Sequence, residues 1–144
     1  MLKQYEKAYN PIGQSGCYFL SLGSIAEKVT GEFLRPKDVN EIYAEVVEFG
    51  SMGQNCYVEN PELVLLSWLK ILGSSADPTY IGWWNEDSGA EFWNKWTSAD
   101  ITHEIVRYKT KWGYHFTTPD YDPYPELSRE PDITGRRYFN IRGM

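Results

Sequence analysis

The chain has 144 residues, which is the length of one ordinary domain, and a formal net charge of -6. Apolar residues make up 42% of it and aromatic residues 16%, so a folded chain with a well-filled core is expected. The 14 lysines and arginines are scattered and form no basic stripe, so nucleic-acid binding is not expected. No apolar run approaches the roughly 18 residues that cross a bilayer, and no signal-peptide core stands at the start. We therefore expect a single cytoplasmic domain over residues 1–144, with no membrane contact.

The two cysteines, Cys17 and Cys56, are too few for a disulfide framework, and in a reducing compartment both should be thiols. Neither cysteine has a second cysteine or a histidine at the short spacing of common zinc motifs. The Gly13 and Gly16 pair is not followed by the Lys-Ser or Lys-Thr of a phosphate-binding loop. We therefore expect neither a metal nor another cofactor.

The first half of the chain has the sequence signals of three helices. Residues 1–13 are a polar N-terminal arm that ends in a turn cluster. Apolar residues at helical spacing follow, with proline or asparagine at the starts and glycine at the ends. This pattern predicts helices near residues 16–30, 36–49 and 60–72. The third segment is apolar nearly all round, so it should be the most buried helix.

The second half of the chain is rich in β-branched and aromatic residues. Strands are predicted at residues 79–84, 101–110, 114–118 and 133–141. Residues 85–100 are compatible with a loop or with a short helix. Because helices precede strands instead of alternating with them, the sequence predicts an α+β fold, with N-terminal helices packed on a C-terminal antiparallel sheet.

Cys17 stands where the pattern predicts the first turn of the first helix. The unpaired amides and the positive dipole end of a helix stabilise a thiolate and lower the pKa of a cysteine there. The same amides could bind an oxyanion. Cys17 is therefore the candidate nucleophile, and its alternative role is that of a small buried apolar side chain. Cys56 is expected at a loop or core edge, outside the site.

The chain has two histidines, so a catalytic base has two candidates. His103 lies within a predicted strand. His115 lies in a strand that runs into the turn signal Thr118-Pro119-Asp120, beyond which a carboxylate can return to the imidazole. We therefore favour His115 as the base.

Two registers of that hairpin are open. If Thr118 and Pro119 lie at its centre, His115 pairs directly with Asp122, whose carboxylate could then fix the imidazole tautomer. If Pro119 instead takes the first central position of a type I turn, Asp122 moves to a diagonal position. Asp120 then lies in the turn and is the weaker candidate for the orienting role.

Three strings resemble the papain-like cysteine peptidases, especially the branch that processes bacteriocin leaders and its small uncharacterised phage-borne relatives. They are QSGCYFLSL at the start of a helix, YHF at the start of a later strand, and YDPYP downstream. The resemblance implies a papain-like fold with Cys17 as nucleophile and His115 as general base. It also implies Asp122 as orienter and Gln14 as oxyanion-hole donor.

These residues predict a cysteine peptidase or amidase that acts on a peptide or protein substrate. An acyl or isopeptide transferase would use the same triad. The alternative is a papain-like scaffold without turnover, such as a phage-type accessory or counter-defence protein that binds a host protein. An acidic surface with exposed aromatic side chains would suit that role.

Overall fold

A computed structural model describes residues 16–86, 89–93, 103–110, 113–121 and 133–143. In this part of the chain three helices come first: α1 (Cys17–Thr30), α2 (Pro36–Glu48) and α3 (Pro61–Ile71). Five strands follow: β1 (Asp77–Asn85), β2 (Glu91–Trp93), β3 (His103–Thr110), β4 (Gly113–Thr117) and β5 (Ile133–Arg142). The predicted α+β class, with helices first and an antiparallel sheet after them, is confirmed.

The helices begin and end at the predicted signals. Pro36 and Pro61 are the first residues of α2 and α3, where a missing N–H costs nothing. Asn60 caps α3, because its Oδ1 accepts from the amide of Leu63 at 3.1 Å. Gly31 ends α1 in the left-handed conformation, with φ of 73°, which glycine adopts without strain. Local chemistry therefore sets these boundaries.

The five strands form one sheet in the order β2-β1-β5-β3-β4, and all neighbours are antiparallel. The C-terminal strand β5 lies at its centre. Strand β2 corrects the sequence analysis, which expected a loop or a short helix over residues 85–100. Its three residues pair with β1, with Phe92 opposite Trp83. A segment this short has no periodicity of its own, and its strand conformation comes from its partner.

The core lies between the helices and one face of the sheet. Phe19, Trp68, Ile105 and Phe139 are all fully buried in it. In α1 the residues from Phe19 to Ala26 are buried without interruption, whereas α3 buries four residues. The prediction that α3 is the most buried helix is therefore wrong. Helix α1 packs against both α3 and the strands β3 and β4, so it is covered from two sides.

Helix α3 holds the first turn of α1 through Trp68. The Trp68 indole Nε1–H donates to the carbonyl oxygen of Phe19 at 3.1 Å, and the two ring centroids are 4.6 Å apart. Both side chains are fully buried. This contact fixes the position of the turn that carries Cys17.

No helix in the described ranges is long and apolar enough to span a membrane.

The hairpin after β4 has Pro119 and Asp120 at its centre. The amide of Thr118 donates to the carbonyl of Tyr121 at 2.9 Å, and the amide of Tyr121 donates back at 3.2 Å. The register with Thr118 and Pro119 at the centre is therefore wrong, and Pro119 takes the first central position as in the alternative register. Proline favours this position because its fixed φ suits the first turn residue.

Candidate functional site

A cleft of about 670 Å³ opens between the first turn of α1, the loop before α3 and the strands β1, β4 and β5. Its lining includes Cys17, Tyr18, Cys56, Tyr80, His115 and Arg137. The candidate nucleophile and the favoured candidate base thus line the same cleft. The other two predicted site residues, Gln14 and Asp122, lie outside the described residues.

Cys17 is the first residue of α1 and follows Gly16, the N-cap, which offers no side-chain acceptor. The first intrahelical bond runs from the amide of Leu20 to the carbonyl of Gly16. Within the described residues, the amides of Tyr18 and Phe19 meet no acceptor, and the first turn carries no acidic side chain. The positive end of the helix is therefore available to an anion at this point of the cleft. Cys17 is half-buried and is not in a disulfide.

His115 lies on β4, an edge strand, directly opposite Tyr108 of β3. Its ring centroid is 5.7 Å from that of Tyr108. Burial lowers the pKa of His115 below the ordinary value of 6.5. The imidazole is therefore mainly neutral at pH 7, which is the form that can accept a proton.

The pleat of β4 sends neighbouring side chains to opposite faces of the sheet. The ring of Phe116 stacks on that of Tyr18, with centroids 4.6 Å apart and an interplanar angle of 25°. Phe116 therefore points towards α1, while the imidazole of His115 lies on the Tyr108 side. His115 reaches the cleft as part of its wall at the sheet edge.

His103 lies away from this cleft. It lines a second cavity, of about 270 Å³, together with Lys28 and Asp120. Burial lowers the pKa of His103, and the charge of Lys28 lowers it further. The Asp120 carboxylate is 3.8 Å from the ammonium of Lys28, and both side chains are exposed. Of the two histidines, His115 is the one that lines the cleft with Cys17.

The cleft contains residues that the sequence analysis did not select. Cys56 is 4% exposed and has φ of 66°, and it is the one described residue other than glycine with a positive φ. Its amide donates to the carbonyl of Gly53 at 2.9 Å, in a turn whose Gly and Asn content is visible in the sequence. Tyr18, Tyr80 and Arg137 come from three separate elements and have no common sequence signal. Tertiary packing alone brings them together.

Arg137 is the basic side chain among the described residues of the cleft wall. Its guanidinium carbon lies 5.5 Å from the Trp83 ring centroid and 5.3 Å from that of Phe116. Its Nη1 donates to the carbonyl of Trp84 at 3.2 Å and to Oδ1 of Asn85 at 2.9 Å. Arg137 forms no ion pair with any carboxylate of the described residues. The part of the cleft wall that the structure describes thus has a half-buried positive charge that is paired with no carboxylate.

Two tyrosine hydroxyls lie beside that guanidinium. The Tyr18 hydroxyl is buried next to the Tyr80 hydroxyl and the Arg137 guanidinium, but it makes no well-formed hydrogen bond with either in the described part of the chain. Burial, reinforced by the neighbouring Tyr80, raises its pKa well above 10. Burial also raises the pKa of Tyr80 to about 12. Both hydroxyls are therefore neutral hydrogen-bond donors over the whole physiological pH range.

The described residues contain no group of three or more His, Cys, Asp or Glu side chains that could hold a metal ion. No curated protein and no solved structure matches the chain. A family model described as "Protein of unknown function, DUF261" matches residues 1–120. The match covers the three helices, β1 to β4, and both Cys17 and His115. Because it extends over most of the 144 residues, the chain belongs to the DUF261 family.

Proposed function

We propose that the protein is a papain-like cysteine hydrolase, a cytoplasmic peptidase or amidase with Cys17 as its nucleophile. The observation that carries this proposal is the position of Cys17 at the start of α1, facing a cleft that His115 also lines. A helix start stabilises a thiolate, and the neutral imidazole of His115 can accept a proton.

In the proposed reaction, the sulfur of Cys17 attacks the carbonyl carbon of the substrate and His115 takes the thiol proton. The tetrahedral oxyanion is bound by backbone amides at the start of α1 and by Gln14, as the resemblance to papain-like cysteine peptidases implies. His115 then gives its proton to the leaving amine and a thioester forms. Water hydrolyses the thioester with His115 as the base, and the thiol is regenerated. Asp122 is proposed to hold the imidazole in the productive tautomer.

A second candidate function is binding without turnover on the same scaffold. It is favoured by one specific observation: Phe116, and not His115, points towards α1 and stacks on Tyr18. Such an arrangement fills the space beside Cys17 with an aromatic pair. The cleft would then receive a segment of a partner protein, such as a host protein bound by a phage-type accessory or counter-defence protein.

Alkylation kinetics separate the two candidates. At pH 7 we expect iodoacetamide to label Cys17 about 10-fold or more faster than Cys56, because the rate follows thiolate fraction and exposure. Cys56 is 4% exposed, whereas Cys17 is half-buried and lies at a helix start. Labelling is followed at each cysteine by mass spectrometry of digested protein. Equal or reversed rates would favour binding without turnover.

The base is tested with paired histidine variants. His115→Ala should slow the alkylation of Cys17 near neutral pH and move its pH profile upward, because the proton acceptor is lost. His103→Ala is the matched control and should leave the profile unchanged, since His103 lines the second cavity. If the Cys17 profile does not respond to His115→Ala, the triad assignment is wrong.

The orienting carboxylate is tested by turnover of a fluorogenic peptide amide. Asp122→Asn should reduce turnover strongly, on the order of 10⁴-fold where a triad carboxylate alone fixes the tautomer. Asp120→Asn should change it little, because Asp120 is exposed beside Lys28. The reverse pattern would assign the orienting role to Asp120.

A further inference from the structure

We propose that the cleft contains a carboxylate-binding subsite beside Cys17, formed by the guanidinium of Arg137 and the hydroxyl of Tyr80, with the hydroxyl of Tyr18 behind them. The ligand class is a peptide with a carboxylate, either at its free C-terminus or on an Asp or Glu side chain. The inference that this peptide is a substrate rests on the proposed function, but its binding does not.

Arg137 is held in place for such a contact. Its Nη1 is tied to the carbonyl of Trp84 and to the side chain of Asn85, which fixes the plane of the guanidinium. The hydrogen bonds that the described residues give this guanidinium all start from Nη1, and its further polar neighbour is the Tyr18 hydroxyl, so Nε and Nη2 meet no carboxylate among these residues. A planar fork matches the two oxygens of a carboxylate, and charge-assisted bonds of this kind are among the strong ones.

The surroundings of Arg137 strengthen the attraction to an anion. The rings of Trp83 and Phe116 have their centroids 5.5 and 5.3 Å from the guanidinium carbon and shield it in part from water, since Arg137 is half-buried. The carboxylate among the described lining residues is that of Glu59, which is exposed at the rim. Arg137 is half-buried and pairs with no carboxylate among the described residues, so an entering carboxylate gains an interaction that these residues do not supply.

The two hydroxyls supply the remaining donors. Tyr80 lines the cleft and its hydroxyl can donate directly to a carboxylate oxygen. The Tyr18 hydroxyl is covered from solvent and lies beside that of Tyr80, without a well-formed hydrogen bond to any described residue. When Tyr80 donates to the anion, its oxygen can accept from Tyr18, and the two hydroxyls form a chain that strengthens both bonds. The otherwise costly Tyr18 donor is then satisfied.

The subsite shares its cleft with the proposed nucleophile, because Cys17, Tyr80 and Arg137 all line it. A peptide anchored there by its carboxylate would present a nearby carbonyl to the cysteine. If the anchor is the C-terminal carboxylate, the enzyme would remove residues from the C-terminal end. If the anchor is an Asp or Glu side chain, the enzyme would cut within the peptide near that acidic residue.

Binding is measured in the Cys17→Ala protein, so the result does not depend on catalysis. Three N-acetylated alanine tripeptides are titrated by isothermal calorimetry: the free acid, its C-terminal amide, and an amide with a central glutamate. We expect one or both of the peptides that carry a carboxylate to bind at least about 10-fold more tightly than the neutral amide. The peptide that binds identifies the source of the carboxylate. Equal affinity of all three, or no detectable binding, would overturn the proposal.

Matched variants in the same background test the donors. Tyr80→Phe should weaken carboxylate binding about 10-fold, and Tyr18→Phe about 3-fold, because the second hydroxyl acts through the first. Tyr138→Phe is the control, since its hydroxyl bonds to Trp84 on the other face of the sheet. Tyr18→Phe should leave the melting temperature unchanged or higher, because the hydroxyl it removes is unsatisfied in the described structure. An equal effect of Tyr80→Phe and Tyr138→Phe would contradict the subsite.

The guanidinium geometry is tested with Arg137→Lys. This substitution keeps the positive charge but removes the planar pair of donors, so the variant should bind the carboxylate at least about 10-fold more weakly. Arg136→Lys, at the neighbouring position, is the control, because Arg136 pairs with Glu104 and lies on the opposite face of the sheet. Absence of carboxylate binding to the Cys17→Ala protein, together with fast Cys17 labelling in the unsubstituted protein, would refute the subsite and leave the proposed hydrolase standing. Carboxylate binding to the Cys17→Ala protein without fast Cys17 labelling in the unsubstituted protein would refute the hydrolase and leave the subsite standing.

Discussion

Trp68→Phe tests the contact that holds the first turn of α1. The substitution keeps an aromatic ring in the core but removes the indole N–H, which donates to the carbonyl of Phe19 at 3.1 Å. It also shortens a side chain that is fully buried. The Phe19 carbonyl keeps one acceptor bond, because the amide four residues later in α1 still donates to it. The carbonyl is therefore not left unsatisfied.

The expected cost combines two contributions. Loss of a neutral hydrogen bond between buried groups costs about 1 kcal/mol. The smaller ring leaves a cavity and loses contact area, which costs about 1–2 kcal/mol more in a core that relaxes only in part. The free energy of unfolding should therefore fall by about 2–3 kcal/mol, which for a chain of this length lowers the melting temperature by about 7–10 °C.

Urea denaturation followed by circular dichroism measures this change, with the slope m checked to be unchanged. Trp84→Phe is the matched control: its indole donates to the hydroxyl of Tyr138 at 3.0 Å, but Trp84 is only partly buried. It should cost about 1 kcal/mol or less. Equal losses in the two variants would mean that the Trp68 contact does not hold α1 as the structure indicates.

Two further predictions concern pH. Burial alone would raise the pKa of Asp38, but the amide and guanidinium of Arg35 bond to its carboxylate and lower the pKa below its usual value. Asp38→Ala should therefore destabilise the protein by about 1 kcal/mol at pH 7, and the difference should shrink as the pH falls from the ordinary value of 3.8 through the lowered pKa of the folded protein. A difference that stays unchanged as the pH falls below 3.8 would refute the role of the charge. Burial lowers the pKa of His115, so its contribution to stability is fully present above pH 6.5 and is lost as the pH falls through the lowered folded value. His115→Asn should reduce the slope of stability against pH in the range just below pH 6.5 in urea titrations, and an unchanged slope would contradict the burial of a neutral imidazole.

The helices could be predicted from the sequence to within two residues because their signals are local. Proline at the start of α2 and α3, asparagine before α3 and Gly31 after α1 each act through the backbone of their own turn. Strand β2 could not be predicted in this way, because three residues acquire strand geometry only by pairing with β1. The hairpin register was open for a similar reason: two turns fitted the same residues.

The site could be predicted only in part. Cys17 and His115 were selected from local chemistry, and both line the cleft. Arg137, Tyr80 and Cys56 were not selected, because each is unremarkable in its own segment. An arginine in a strand is usually solvated, and the lack of a carboxylate partner for Arg137 among the described residues becomes visible only after the sheet is assembled. Contacts between distant elements thus decide the electrostatics of the cleft.

The central position of β5 has a consequence for biosynthesis. During translation the β1–β2 and β3–β4 ribbons are complete before β5 emerges, yet each can join the other only through it. Until then the nascent sheet has two unsatisfied inner edges that can pair with other chains. Assembly must therefore wait for residues 133–142, and a nascent chain arrested near residue 120 would be a natural client for a chaperone that covers exposed strands.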